Sequence, residues 1–235
     1  MRHYCSTALF LAAFLFAARS PAGDDAAAPV KIVALGDSIT KGVRTGVAVE
    51  ETFAARIQAA LREQGIAAEV TNVGIGGERT DQALVRLDKE VIAKEPQIVT
   101  IMYGTNDSYV DPGQREPRLT EQQYRDNLVQ LVQRLRRAGI KPILMTEPRW
   151  SAAAKANGSG EHPNLRLEKY VEQCRGVAKE LEVPLVDHFA HWTKQEKAGQ
   201  NLDAWTTDTC HPNPLGHKEL AGLILPAIAK LAAPR

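Results

Sequence analysis

The sequence predicts one α/β domain of three layers, in which helices cover both faces of a five-stranded, mainly parallel sheet. Three observations carry this expectation: five short apolar runs recur along the chain, stretches with helical spacing separate them, and no second apolar core is present. Strands buried on both faces read as continuous apolar runs, whereas half-exposed strands alternate with polar residues.

Residues 30–35 form an apolar run that stops at Gly36, the first strand. Residues 50–64 place Phe53, Ile57 and Leu61 on one helical face, and Gly65 ends that helix. A strand at 68–73, a helix over 81–94 capped by Thr80, and a strand at 97–103 come next. Thr120 and Gln123 form a capping box for a helix that runs to about 138, where Gly139 stops it. A strand at 141–146, a helix at about 165–181, a strand at 184–187 and a final helix over 214–231 complete the order. Pro214 suits the first position of that last helix, because the N–H that proline lacks would be unpaired there.

Composition bounds the partners. The 235 residues include 29 basic and 28 acidic side chains, giving a formal net charge of +1, and 44% are hydrophobic. That balance excludes intrinsic disorder and collagen-like repeats, and the length allows a core that needs no disulfide or metal staple. No basic stripe is present, which argues against nucleic acid as a partner. Arg2 and His3 precede an apolar run over 8–18, and the small residues Ser20, Ala22 and Gly23 come after it, so 1–23 reads as a secretory signal peptide. The run is too short to span a bilayer comfortably; a short N-terminal anchor is the alternative. Residues 24–29 then form a leader and 30–235 the folded domain, destined for the periplasm or the exterior, with no stable membrane insertion after cleavage. Cys5 leaves with the signal; Cys174 and Cys210 remain, as a disulfide or as two thiols.

Ligand sites in such sheets lie beyond the carboxyl ends of the strands. Four loops at or near that edge hold unusual residues: Gly36-Asp37-Ser38-Ile39-Thr40, Asn72-Val73-Gly74-Ile75-Gly76-Gly77, Gly104-Thr105-Asn106-Asp107, and Asp208-Thr209-Cys210-His211-Pro212. Acyl transfer needs a nucleophile, a base, an acid to orient the base, and donors for a developing oxyanion. Ser38 is the candidate nucleophile, or else a helix cap. The surrounding string is not the Gly-x-Ser-x-Gly elbow of α/β-hydrolases. Asp208 and His211, three apart, would share one side of a helical turn, leaving the second imidazole nitrogen for Ser38. His217 is the competing base. Gly77 and Asn106 are candidate oxyanion donors, the first by an unobstructed backbone N–H and the second by an uncharged amide. A turn at Gly76-Gly77 and a helix cap at Asn106 are their structural alternatives.

These four blocks, in this order, resemble those of the SGNH/GDSL hydrolases, and the resemblance runs from Lys31 to Leu231. It implies a flavodoxin-like α/β/α fold and cofactor-free hydrolysis of esters or thioesters. Ser38 would be the nucleophile, Asp208 and His211 would complete the triad, and Gly77 and Asn106 would join the Ser38 N–H in the oxyanion hole. Choosing Gly77 over Gly74 or Gly76 rests on aligning the whole Asn-x-Gly-x-x-Gly string.

Other features compete for attention. His188 and His191 could ligate a metal, but no third ligand lies in obvious range, so no metal is expected. Asn106 and Asn157 match the glycosylation pattern and read as chance matches. Asp37 and Asp107 could be a glycosidase pair, but each is better explained as bracing its neighbouring loop. Tyr109, Trp150 and Trp205 lie near the same edge and would suit stacking on sugar rings; ordinary packing is the alternative. With no long apolar lid, the favoured substrate is a short acyl ester, above all acetyl, on carbohydrate. A lysophospholipase or thioesterase, and a non-catalytic carbohydrate-binding protein, are the other readings.

Overall fold

The five apolar runs become strands of one sheet in a computed structural model that describes Met1 and residues 28–232. They are β1 (Val30–Gly36), β2 (Ala68–Asn72), β3 (Ile98–Met102), β4 (Lys141–Thr146) and β5 (Leu185–Asp187). Their order is β2-β1-β3-β4-β5 and every pairing is parallel. All five residues of β3, the central strand, are buried, which is why it reads as an uninterrupted apolar run. The expected signal peptide, apart from Met1, and residues 24–27 of the leader lie outside the described residues. Among those described, no helix is long and apolar enough to cross a membrane.

Alternation along the strands divides the core in two. Ile32, Ala34, Ile98, Met102, Ile143 and Met145 face one way, against Phe53, Ile57 and Leu61 of α2 (Phe53–Glu63) and Leu220, Ile224 and Ile228 of α7 (Pro214–Ala232). Val33, Leu35, Val99, Ile101 and Leu144 face the other. There they meet α3 (Thr80–Arg86), α4 (Glu121–Arg137) and α5 (Pro163–Glu180) through residues that include Ala83, Leu128, Leu131, Tyr170 and Val177. Two short helices, α1 (Ser38–Lys41) and α6 (His188–Lys197), come directly after β1 and β5.

Several boundaries differ from expectation for local reasons. The helix expected from 50 begins at Phe53, because Val49–Glu51 forms a separate 3-10 turn and the Thr52 side chain caps α2. The helix expected over 81–94 is regular only to Arg86, then widens into a π turn at Leu87–Val91 and tightens into a 3-10 turn at Ile92–Lys94. Thr80 does not cap it. Its hydroxyl donates to Asp107 Oδ1 at 2.5 Å, and Arg79 takes the cap position instead. The Thr120–Gln123 capping box forms as the sequence indicates. Cys174 and Cys210 are both free and buried, on opposite faces of the sheet, so no bridge joins them.

Two glycines allow α1 to begin immediately after β1. A Cβ on Gly36 would lie 2.0 Å from Thr40 Oγ1 and 2.6 Å from the Met102 carbonyl oxygen. A Cβ on Gly74 would lie 2.2 Å from the Lys41 backbone nitrogen and 2.8 Å from the Asp37 carbonyl oxygen, so the loop after β2 packs directly on α1. Gly74→Ala should therefore destabilise the fold by about 1–3 kcal/mol through overpacking against backbone. Thermal unfolding monitored by circular dichroism checks this; a melting temperature equal to that of the parent would refute the close approach.

Candidate active site

Gly36 closes β1, Asp37 turns the chain and Ser38 opens α1. Asp37 Oδ1 accepts from the Ile39 N–H at 2.8 Å, which fixes the start of that helix and the direction of the serine side chain. Ser38 Oγ lies 2.8 Å from His211 Nε2, although 173 residues separate them. His211 Nδ1 in turn lies 2.8 Å from Asp208 Oδ2 and 3.0 Å from Oδ1. A carboxylate on Nδ1 favours the tautomer with its proton there, leaving Nε2 to accept from the serine.

The segment holding Asp208 and His211 is not helical, contrary to the reading of their spacing. It is a tight loop pinned by an antiparallel bridge between Thr206 and Pro212 and by Thr207 N donating to the His211 carbonyl at 2.8 Å. Within it Asp208 Oδ1 accepts from the His211 N–H at 2.8 Å, and Thr209 adopts a left-handed φ of 71°. The carboxylate organises the turn and also meets the ring of the same histidine.

Electrostatics set this chain of groups in its base form. Burial pushes the His211 imidazole below its ordinary value, overcoming the opposing pull of Asp208, and nearby Arg44 pushes the same way. Burial alone would raise Asp208, but the backbone and side-chain hydrogen bonds from His211 outweigh it and hold the carboxyl below the ordinary range. Arg44 Nη2 donates to Asp208 Oδ2 at 2.8 Å. Sequence reading missed this residue, since no spacing rule links Arg44 to Asp208. His217, the competing base, is fully buried; its Nδ1 accepts from the Phe53 N–H at 3.2 Å, and burial pushes it down to about 4.

The two expected oxyanion donors differ in how they are held. Asn106 Nδ2 donates to Asp37 Oδ2 at 2.7 Å, while its Oδ1 accepts from Arg118 Nη1 at 3.2 Å. The amide is clamped at both ends, with one of its two N–H groups uncommitted in these bonds. Gly77 is exposed, at φ 77°, with open space where a Cβ would sit. Its loop is tied to β1 by Ile75 N donating to the Gly36 carbonyl at 3.1 Å. Asp107 Oδ1 accepts from the Thr80 N–H and hydroxyl, so Asp37 and Asp107 brace separate loops.

Of the three aromatics, Tyr109 and Trp150 are half-buried and stack, with centroids 6.3 Å apart and planes at 20°. The Arg118 guanidinium lies over the Tyr109 ring, 5.1 Å from its centroid. Trp205 belongs to the core instead: it is 8% exposed, edge-on to Trp192 and stacked on His191. Its ring has little surface left for a sugar. His188 and His191 also part company, the first fully buried and pushed down to about 3, the second 3.2 Å from Glu219. Among the described residues no three potential metal ligands cluster. Asn157 is buried and bonded to Ser159. A cavity of about 450 Å³ lined by Arg149, His162, Leu165, Phe189 and others contains none of the three triad candidates.

Residues 34–219 match the GDSL-like lipase/acylhydrolase family. An acetylxylan esterase of Geobacillus stearothermophilus is 29% identical over 211 residues, covering 83% of this chain and 92% of that protein. An uncharacterized lipoprotein of Bacillus subtilis, YqeF, is 32% identical over 146 residues, 54% of this chain, and the match spans 58% of the lipoprotein's length. The crystal structure of a lipase/acylhydrolase from Enterococcus faecalis superimposes with a TM-score of 0.71 at 26% identity, covering 87% of this chain and 98% of that one. With the parallel sheet and the order of the four loops already in place, these matches identify the chain as a carboxylic ester hydrolase that belongs to the GDSL-like lipase/acylhydrolase family.

Proposed function

We propose that this chain is an exported serine esterase that removes short acyl groups, above all acetyl, from carbohydrate. The observation that carries the chemistry is the continuous hydrogen-bonded chain from Ser38 Oγ through His211 to Asp208. In the reaction Ser38 attacks the ester carbonyl as His211 takes its proton, and Asp208 stabilises the imidazolium that forms. The Ser38 and Gly77 backbone N–H groups and the free N–H of Asn106 face the oxyanion. His211 then protonates the departing alcohol. Water, deprotonated by the same histidine, attacks the acyl-serine and releases the acid.

Three observations support a short acyl group on a sugar. The Tyr109–Trp150 pair offers an aromatic wall beside Asn106, through the Arg118 that touches both. The cavity of about 450 Å³ is lined by none of the triad candidates, so it does not serve them as an acyl tunnel. The Geobacillus relative is an acetylxylan esterase that matches 83% of this chain. A second reading, cleavage of longer acyl chains, draws on exposed Val43, Ile75 and Leu215, which lie in or near the loops that carry the site.

Acetylated xylooligosaccharides and p-nitrophenyl esters of increasing chain length separate the two readings. Acetyl substrates should be cleaved fastest, and Ser38→Ala should reduce turnover by about 10⁴-fold or more. Preference for long chains would select the second reading, and turnover unaffected by Ser38→Ala would end both. Asn106→Ala should lower kcat by about 100- to 1,000-fold with a smaller effect on KM, as expected for a donor that strengthens its bond in the transition state. Activity should fall as pH drops through a value below the ordinary histidine range, since protonated His211 cannot act as base. Arg44→Gln removes a neighbouring positive charge that disfavours the imidazolium, so the acid limb of kcat/KM should move to higher pH. An unmoved limb would show that Arg44 does not act on the triad.

A further inference from the structure

Glu147, immediately after β4, is fully buried, as are Asp37 after β1 and Asp107 after β3. The loops that leave three adjacent strands thus each carry a carboxylic acid out of reach of solvent, and one of them, Asp37, directly precedes Ser38. Both Asp37 carboxyl oxygens accept hydrogen bonds, from the Ile39 N–H and the Asn106 amide. Asp107 accepts two bonds from Thr80. Neither carboxyl oxygen of Glu147 has a geometrically good hydrogen-bond donor or an ion-pair partner, and the polar groups acting on it are the Asp37 carboxyl and the Thr105 backbone N–H. Gly104, in the loop after β3, packs against this side chain: a Cβ there would lie in ordinary contact, 3.7 Å from Glu147 Cγ, at a φ of 140°.

We propose that Glu147 is a positioning residue: it carries the proton of a buried carboxylic-acid pair with Asp37, and that proton keeps Asp37 fixed as the acceptor for the Ile39 and Asn106 N–H groups. The inference rests on the esterase reading and deepens it. Two carboxylates in contact in a buried site cannot both ionise near neutrality, so the pair retains one proton. The surroundings decide where it sits. Burial raises Asp37 to about 7 against the bonds from Ile39, Asn106 and Glu147 that favour its charge, whereas burial and the facing Asp37 and Asp107 all push Glu147 up, well above the ordinary carboxyl range. The other titratable groups around it are Tyr124 on α4, Cys174 on α5 and Cys210 in the loop before α7, all acids raised by burial. Arg118 binds the far end of the Asn106 amide and Asp111, and Arg44 binds Asp208.

The functional consequence is an alkaline limit. When Glu147 ionises, two negative groups face each other without solvent, Asp37 is driven from its partners, and Asn106 and the start of α1 lose their common anchor. The oxyanion donor and the nucleophile would then be misplaced together.

Glutamine tests this, because it can donate to Asp37 at every pH and never ionises. Glu147→Gln should keep kcat within a few-fold of the parent at neutral pH while the alkaline fall in kcat disappears. Glu147→Ala leaves Asp37 unpartnered and should lower kcat about 10-fold or more, up to the loss expected for one oxyanion donor, with KM changed less. An infrared difference spectrum between parent and Glu147→Gln should show the carbonyl stretch of a neutral carboxylic acid at neutral pH, lost from the parent over the same alkaline range as kcat. An alkaline limb that persists in Glu147→Gln, or a missing neutral-carboxyl band, would overturn the proposal. Should the parent cleave none of the esters, the esterase reading fails by itself, and the infrared band still decides whether Glu147 holds the proton. If either variant does not fold, the infrared titration of the parent against its own pH profile decides.

Discussion

The 2.8 Å contact between Ser38 Oγ and His211 Nε2 joins two regions of the chain that the sheet alone can bring together. Parallel strands deliver every carboxyl end to one edge, and β1 lies near the middle of the order, so the loops after β2 and β3 flank the start of α1. α7 packs beside α2 on one face, holding its N-terminal approach, the loop with Asp208 and His211, over that same edge. The geometry of the candidate triad is therefore a property of topology first and of side-chain choice second. A serine at the same sequence position in an antiparallel meander would have no comparable set of neighbours.

Beneath that contact, the loops are linked by hydrogen bonds rather than by apolar packing. Asp37 alone connects the start of α1 to the loop after β3, and Thr80 connects that loop to α3 through Asp107. Arg118 extends the connection to Tyr109 and hence to the aromatic wall. Such a network has few soft degrees of freedom, because Asp37 is shared between donors on different elements and Asp107 takes two bonds from Thr80. It fits a site whose donors must already face the place where negative charge develops, since reorganisation during reaction would forfeit much of the stabilisation.

Much of this was legible in the sequence, and the exceptions have physical causes. β1, β3 and β4 are readable because burial on both faces forces nearly continuous apolar runs. The half-exposed edge strands β2 and β5 are readable from their place between helices, and the capping box at Thr120 is readable because its bonds are local. Thr80 misleads for the same reason in reverse: a residue with excellent capping chemistry is claimed by a distant carboxylate. The spacing of Asp208 and His211 points correctly to their proximity but wrongly to a helix, since a tight turn satisfies the same three-residue separation. Trp205 lies next to the site in sequence and inside the core in space. Arg44 and Glu147 could not be found at all, because their roles depend on which strand lies beside which.

Buried polar atoms without partners are costly, roughly 1–3 kcal/mol each, so their distribution in a fold is informative. Here several lie on or beside the loops of the site: Asp107 Oδ2, the hydroxyls of Thr40 and Thr105, and the carboxyl of Glu147, which faces another acid rather than a donor. Thr40 lies two residues after Ser38, and Thr105 and Asp107 bracket Asn106. A fold selected for stability alone would fill these positions with Leu or Val, as it does one layer deeper on the same strands. Local rules yield where orientation matters more than stability, and the region where they yield is the floor on which Ser38 and Asn106 stand.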